Sequence, residues 1–548
     1  MNDRLPVAAT ERPAPVVLRA HFASALPELA IPWQAQRWPA LRLLWLDDGL
    51  AEALGWSPAW LRSPAGVALL GGQSLPPGAR PVAQRYAGHQ FGAWVPELGD
   101  GRALLLGEAE LRDRGVVRTV DVALKGSGPT PLARGGDGRA VLGPMLREAL
   151  VSAAMHALGI PTTRTLAVLA TGETVWRDGV PRPGALLVRV AASHLRVGSL
   201  QWAAAQQDPA LLRRLWWWAV QRHDPALAQT APAAAGPAPD ADRVQAWLQA
   251  VGVRQARLVA QWMAVGFIHG VMNTDNMTLS GETIDYGPCA FMEAFEAATV
   301  YSSIDLGGRY AWGNQPRIAQ WNLARLAEAV LPLLHPEPDR AVAAATAAVQ
   351  AFGPAYQRAW RAVMRAKLGL AGPAQPLASG PWDGLHGAGA DADDAWAAQD
   401  DALIAAWLQA LQAQQADWTL VHRRLADLAE ACAAGVPWPT AAAQTLGPLL
   451  AQPEGLHDWL ARWQARLALD GRPWAERAVA LRSANPLVIA RNLRVEEALH
   501  AAEQGDLGPA QALLAALTQP FAARSDDDPF VQPAPRAWAQ RYVTFCGT

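Results

Sequence analysis

Residues 1–80 mix short helical patterns with Pro-rich turns; the texture of the chain changes at 81 and again near residue 200, and that second change limits what the chain can fold into. Before it, apolar runs of strand length sit between glycines and charges: ALLLGEAEL (103–111), VDVALKG (120–126) and ALLVRVA (185–191). TLAVLATGETVWRDG (165–179) reads as a hairpin turning at Thr171-Gly172. One helix interrupts the strands. It follows Gly143-Pro144 and runs as MLREALVSAAMHALG, with Leu146, Leu150, Ala154 and Leu158 on one face. Pro144 suits a first helical position and Gly159 a C-terminal stop. Beyond 200 the strands nearly vanish. QQDPALLRRLWWWAVQRH, residues 243–267 and residues 317–370 carry helical patterns, and the remainder reads as helices down to an irregular tail, RYVTFCGT. QTAPAAAGPAPDAD (229–242) and residues 373–394 read as a connector and a loop. A strand-rich half holding one helix, followed by a helical half, predicts an α+β fold with two lobes.

The 548 residues suffice for two to four domains or one large two-lobed enzyme. A net charge of −2 argues against a dedicated nucleic-acid surface and leaves only local basic clusters for local phosphates. Cys289, Cys432 and Cys546 are far apart and form no CxxC pair, which argues against a disulfide scaffold or zinc knuckle and fits a reducing compartment. No apolar run reaches the roughly 20 residues of a membrane span. The start, MNDRLPVAATERPAP, lacks an apolar signal core. The expectation is a cytoplasmic protein with neither nucleic acid nor membrane as partner.

Four segments carry residue types that a nucleoside triphosphate needs. In PELGDGRALLLGE (96–108), Gly99 and Gly101 permit close backbone approach and Arg102 adds charge; a plain hairpin turn is the simpler reading. In VALKGSGPTPLARGGDGRA (122–140), Lys125 ends an apolar strand, and Glu148 follows 23 residues later on the helix. A strand lysine paired with a helix glutamate steadies ATP phosphates in protein kinases; a solvated strand-end lysine is the alternative. The glycine-rich stretch between them, with Asp137, Gly138 and Arg139, reads either as a phosphate cover or as an ordinary loop. In LLVRVAASHLRVGS (186–199), Arg189 lies inside an apolar strand and Arg196 follows seven residues on. A buried arginine needs an anion, either a ligand phosphate or a structural carboxylate.

The fourth segment is HGVMNTDNMTLSGETIDYG (269–287). Kinases carry HRDLxxxN, a hairpin and then DFG. Here His269 and Asn276 keep the seven-residue offset, MTL and ETI read as the hairpin, and Asp285-Tyr286-Gly287 replaces DFG. Asn276 and Asp285 are then natural ligands for a magnesium ion. The position of the kinase catalytic aspartate is Val271, which cannot accept a proton; Asp275 is the nearest carboxylate.

These blocks, with YAGHQFGAWVPELGDGRALLLGE, YAWGNQPRIAQWNLARLAEAVLPLL and NPLVIARNLRVEEAL, cover essentially the whole chain. Together they resemble the selenoprotein O (YdiU) family of protein adenylyltransferases. The resemblance implies a protein-kinase-like two-lobed fold with a strand-rich N-lobe, a helical C-lobe and a helical C-terminal extension, in which ATP lies flipped. It implies transfer of AMP to Ser, Thr or Tyr hydroxyls of protein substrates with release of pyrophosphate; some bacterial members are described as transferring UMP from UTP. By position, Gly99, Gly101, Arg102, Lys125, Asp137, Gly138, Arg189 and Arg196 would contact nucleotide. Asp275 would be the general base. Asn276 and Asp285 would hold Mg²⁺ or Mn²⁺, with Asp285 also near the nucleotide, and Glu148 would pair with Lys125. Family members often carry Cys or selenocysteine where Cys546 stands, pairing in some with a cysteine after DYG; TVYSSID offers none here, and Cys289 lies closer to DYG.

The expected division is 1–80 as an extension packing on the N-lobe, 81–200 as the N-lobe, 201–335 as the C-lobe with the metal site, and 336–548 as a helical C-terminal region. Two other readings stay open: a kinase transferring the γ-phosphate, which Val271 opposes, and a non-catalytic nucleotide-binding pseudokinase, which the intact Lys125, Glu148, Asn276 and Asp285 oppose.

Overall fold

The computed structural model of the chain describes residues 16–113, 115–229, 241–372, 382, 385 and 395–545. Most of the expected connector at 229–242, most of the loop at 373–394, and Cys546 lie outside the described residues. The fold is of the expected α+β, protein-kinase-like class: a strand-rich unit, a helical unit and further helices toward the C-terminus. One compact unit comprises residues 1–84, 99–141 and 165–192; the other comprises 85–98, 142–164 and 193–548. Among the described residues no helix is long and apolar enough to cross a membrane.

The strand-rich unit is built on one sheet. Its order is Ala30–Pro32, Val82–Gln84, Ala103–Asp113, Val116–Lys125, Val180–Ala191, Arg164–Arg177 and Arg42–Leu46, with Ala140–Val141 paired onto Val180–Ala191. Leu104, Leu106, Val122, Leu124, Leu186 and Val188 bury one face against Leu50, Leu61, Leu69 and Leu70 of three short helices. Each of these helices starts where a side chain satisfies an otherwise orphaned N–H: Asp47, Ser57 and Ser63 accept from the backbone three residues on.

Two local expectations need correction. Thr171-Gly172 is not a hairpin turn, because the strand runs unbroken through it to Arg177. The turn is Asp178-Gly179, whose φ angles of 51° and 75° suit a tight two-residue hairpin connection. The hairpin expected between Asn276 and Asp285 does not pair with itself either. Thr278 bridges to Arg196 and Thr283 to Thr162, while the Thr278 hydroxyl donates to Glu282 O at 2.7 Å and closes the turn locally.

In the helical unit, Leu142–Ala157 buries Leu146, Leu150 and Ala154 as the pattern requires. The long helix Ala241–Ala264 leads into a two-residue strand, Phe267–Ile268, paired with Ala290–Phe291. This short pair brackets the loop at 269–289. The C-terminal helices hold its base. Trp418 N donates to Glu293 O at 2.7 Å, and Asn492 bonds both the N–H and the C=O of Phe291. Thr544 Oγ1 donates to Pro288 O at 2.7 Å.

Candidate active site

Within the strand-rich unit, pairing of Arg189 with Ala123 and alternation along the strands put Asp121, Lys125 and Arg189 on one face of the sheet. Lys125 and Arg189 are both buried. Two buried cations on one face need anions, and Asp121 is one carboxylate on that face.

Gly99 has φ 66°, and a Cβ there would stand 2.3 Å from Leu132 Cδ1; one at Gly138, φ 65°, would stand 2.1 Å from Pro129 N. The close approach at both glycines is thus taken up by the chain's own 129–133 segment. Arg102 O accepts from Gly126 N and Ser127 N, and Gly101 O from Thr130 N, so the Gly99–Arg102 turn and the glycine-rich stretch are laced together. Asp137 is engaged by the Arg177 guanidinium at 2.8 and 2.9 Å, which holds its carboxyl below the usual range.

Within the helical unit, the loop at 269–287 is built around His269. The imidazole is fully buried, its Nε2–H donates to Ile284 O at 2.9 Å, and its Nδ1 accepts from Val271 N at 3.4 Å. Burial pushes its pKa down, so the ring is neutral. Asn276 Nδ2 donates to Val271 O at 2.9 Å, which leaves its Oδ1 as an acceptor. Asp285 holds φ at 63°, an uncommon conformation for a residue other than glycine and one found at functional sites. Tyr286 behind it is buried and bonds to Thr162 just past the helix of Glu148. Glu148 is itself buried, and its charge helps raise the Tyr286 phenol, after desolvation and with Cys289.

Asp275 is half-buried as a residue, but its Oδ1 is closed off from solvent and has no hydrogen-bond partner. Burial pushes its carboxyl up to about 6; Arg196 opposes the rise and Asp285 adds to it. Arg196 is brought there by the pairing of Leu195–Val197 with Met277–Leu279, and its guanidinium lies 4.3 Å from the Tyr86 ring centre.

Among the described residues no group of three or more His, Cys, Asp and Glu converges as a metal cluster. The loop nevertheless gathers oxygen acceptors: a carboxylate oxygen of Asp275 with no hydrogen-bond partner, the Asp285 carboxylate close enough to raise it, and the amide of Asn276, whose Nδ2 is turned to Val271 O. Such oxygens fit a hard divalent cation.

The hairpin Gly88–Gln90/Ala93–Val95 was given no role from the sequence, and it clamps this loop. His89 N donates to Thr274 Oγ1 at 2.7 Å, Phe91 N donates to Asn273 Oδ1 at 2.9 Å, and the Gln90 side chain is near enough to Asp275 to work against the rise of its pKa. Tyr310 OH donates to the same Asn273 oxygen at 2.6 Å, and Gln201 Nε2 to His89 Nδ1 at 2.9 Å. A Cβ at Gly88 would stand 2.9 Å from Thr274 Oγ1 and 3.4 Å from Asp275 Oδ1. The available signal was GHQFG, two polar side chains and a phenylalanine between two glycines.

The fold and this loop define a class: a protein-kinase-like transferase in which the histidine, asparagine and DYG aspartate stand in kinase order without the kinase loop aspartate. Residues 17–518 match the family model described as protein adenylyltransferase SelO. Proteins named protein nucleotidyltransferase YdiU are similar along nearly their whole length. That of Cereibacter sphaeroides is 51% identical over 527 residues, covering 96% of this chain and 98% of the relative. That of Mycolicibacterium smegmatis is 50% identical over 541 residues, covering 98% and 99%. The chain belongs to the SelO family, and its activity is of the nucleotidyltransferase class.

Proposed function

We propose that the chain transfers AMP from ATP to Ser, Thr or Tyr hydroxyls of acceptor proteins. The observation that carries this reading is the exchange of carboxylates in the loop. Val271 stands where a kinase has its aspartate, while Asp275 has a sealed, unpartnered oxygen and a pKa pushed up to about 6. A base near neutrality is suited to accept a hydroxyl proton.

In the proposed step the acceptor oxygen attacks the α-phosphorus. The bond from that phosphorus to the oxygen bridging to the β-phosphate breaks, pyrophosphate leaves, and the hydroxyl proton goes to Asp275. Lys125, Arg189, Arg102 and Arg196 would neutralise phosphates, with Glu148 orienting Lys125; Gly99, Gly101, Asp137 and Gly138 would shape the cover. Asn276 and Asp285 would hold Mg²⁺ or Mn²⁺, which supplies charge neutralisation on the phosphate oxygens when bound. Positioning and charge supply most of the rate in such transfers. UTP as donor, with UMP transferred, is the second form of the same reading; the relatives' name, nucleotidyltransferase, does not choose between them. The proposed setting is the cytoplasm. The working division is 1–80, 81–200, 201–335 and 336–548.

ATP labelled at the α- or the γ-phosphate tests the proposal. Protein-bound α-label alone, with pyrophosphate released, is expected. Bound γ-label would make the chain a kinase, and neither label a pseudokinase.

A further inference from the structure

The hairpin that clamps the Asp275 loop has an outer face that none of these roles uses. Phe91 is 39% exposed and Trp94 is 43% exposed. Behind them the His89 ring packs against Trp94 at 5.1 Å and Trp321 at 5.3 Å between centres. Trp321 carries two guanidiniums, Arg309 at 4.8 Å and Arg325 at 4.9 Å. Both charges press the His89 pKa down, after desolvation. Arg325 has Glu328 as its ion-pair partner. Arg309 has no carboxylate partner among the described residues. Asp305, close in sequence, spends its oxygens on the backbone N–H groups of Arg309 and Tyr310, at 2.9 and 2.8 Å. A Cβ at Gly92 would stand 3.8 Å from the Arg309 guanidinium, so that group lies against the hairpin turn.

We propose that this face docks the acceptor protein, and that it takes an extended segment bearing an acidic side chain within a few residues of the target hydroxyl. The inference rests on the reading of Asp275 as the base. The bonds from His89 N to Thr274 and from Phe91 N to Asn273 tie the face to residues immediately before Asp275. Exposed Phe and Trp beside Arg is the composition of an interface centre. A guanidinium over an indole, with no carboxylate partner among the described residues, offers charge and N–H donors that a carboxylate fits. Its partly buried position at the edge of the face suits selection among acceptors rather than high affinity.

The test uses the full chain with ATP and Mg²⁺ and two labelled peptides. They share one hydroxyl residue and differ only in flanking Glu or flanking Lys. Binding is read by fluorescence anisotropy, transfer by α-labelled ATP, and ATP affinity separately. The Glu peptide should bind about tenfold more tightly than the Lys peptide. Arg309→Glu should reverse that order, and Trp94→Ala should weaken both peptides. Arg309→Lys, which keeps the charge and loses the fork, should give an intermediate preference and serves if Arg309→Glu does not fold. Equal binding of the two peptides, or a preference that survives Arg309→Glu, overturns the proposal. So does a fall in ATP affinity with peptide preference unchanged, which would assign Arg309 to phosphates. A binding preference with no label transferred supports the docking face and sinks the adenylyl-transfer reading instead.

Discussion

His269 and Ile284 are joined by a 2.9 Å hydrogen bond from the imidazole Nε2–H to the carbonyl oxygen, so one buried ring pins the Asp275 loop to the segment that delivers Asp285. The ring also packs against Trp262 and Phe267, at 5.4 and 6.3 Å between centres. His269→Ala removes the bond and opens a cavity among aromatics, at a cost of about 3 kcal/mol. His269→Phe fills the space and still loses the bond. Both should weaken metal-dependent ATP binding, and only the first should unfold at markedly lower urea. Wild-type ATP affinity in His269→Phe would show that the bond does not position Asp285.

Asp285 combines a left-handed backbone with the proposed metal contact, so stability and function should separate there. Asparagine tolerates φ near 63° as well as aspartate does and carries no charge beside Asp275. Asp285→Asn should therefore keep the backbone and the fold while abolishing metal-dependent nucleotide transfer. A variant that transfers at near wild-type rate would remove Asp285 from the metal site.

Far from the loop, Asp400 is fully buried and bonds Arg466 at 2.6 and 3.1 Å and Arg365 at 2.6 Å. Arg466 is fully buried too. Asp400→Ala strands that charge and should cost about 3–5 kcal/mol in chemical denaturation. Adding Arg466→Met should recover much of the loss, and a double variant as unstable as the single one would contradict this account.

Much of this was legible in the residues. The helix of Glu148 followed from its periodicity and its Gly159 stop, although it begins at Leu142 and not after Gly143-Pro144, and the strand-rich and helical halves followed from the change in texture near residue 200. The hairpin turn was misplaced because Thr171-Gly172 and Asp178-Gly179 are both good turn pairs, and only strand pairing decides between them. The 277–284 segment looked like a hairpin by spacing, yet its backbone groups find partners at Arg196 and Thr162. Those distant pairings carry no local signal. The same holds for the clamp on Asp275. Asn273 is met by Phe91 and Tyr310, 182 and 37 residues away, and no short-range pattern encodes that meeting.

Lys367 gives a pH-dependence whose sign is fixed by burial. Desolvation takes its amine from the ordinary 10.5 to about 7, and Nζ contacts Asn485 Oδ1 at 3.0 Å. Its neighbour His422 is also pressed down, by burial and then by Lys367 itself, and is neutral. Between about pH 7 and 10.5 the unfolded chain holds a proton on this amine that the folded chain has released. Unfolding free energy should then rise with pH across that window, by up to about 1.4 kcal/mol per unit from this group. Lys367→Met should flatten the rise. Denaturation curves for both proteins at pH 7, 8 and 9 decide it; parallel profiles would show that Lys367 stays charged when folded.

The last prediction sets Val271 against Asp275. Val271 is buried, and its carbonyl already serves as the anchor for Asn276. If the chain were a kinase that had lost its base, Val271→Asp should restore transfer of the γ-phosphate. If the α-phosphate faces the acceptor, a carboxylate at 271 serves no reacting group, and it buries a charge as well, so the variant should show no phosphorylation. Asp275→Ala should retain ATP binding, because the proposed base acts on the acceptor hydroxyl, and should lose AMP transfer by about 100- to 10,000-fold. Mass spectrometry after incubation with ATP and Mg²⁺, beside a nucleotide titration, reads both variants. A phosphate-sized adduct on Val271→Asp would defeat the flipped-nucleotide reading. Undiminished AMP-sized adducts on Asp275→Ala would mean that the sealed, unpartnered oxygen of Asp275 answers to something other than the acceptor's proton.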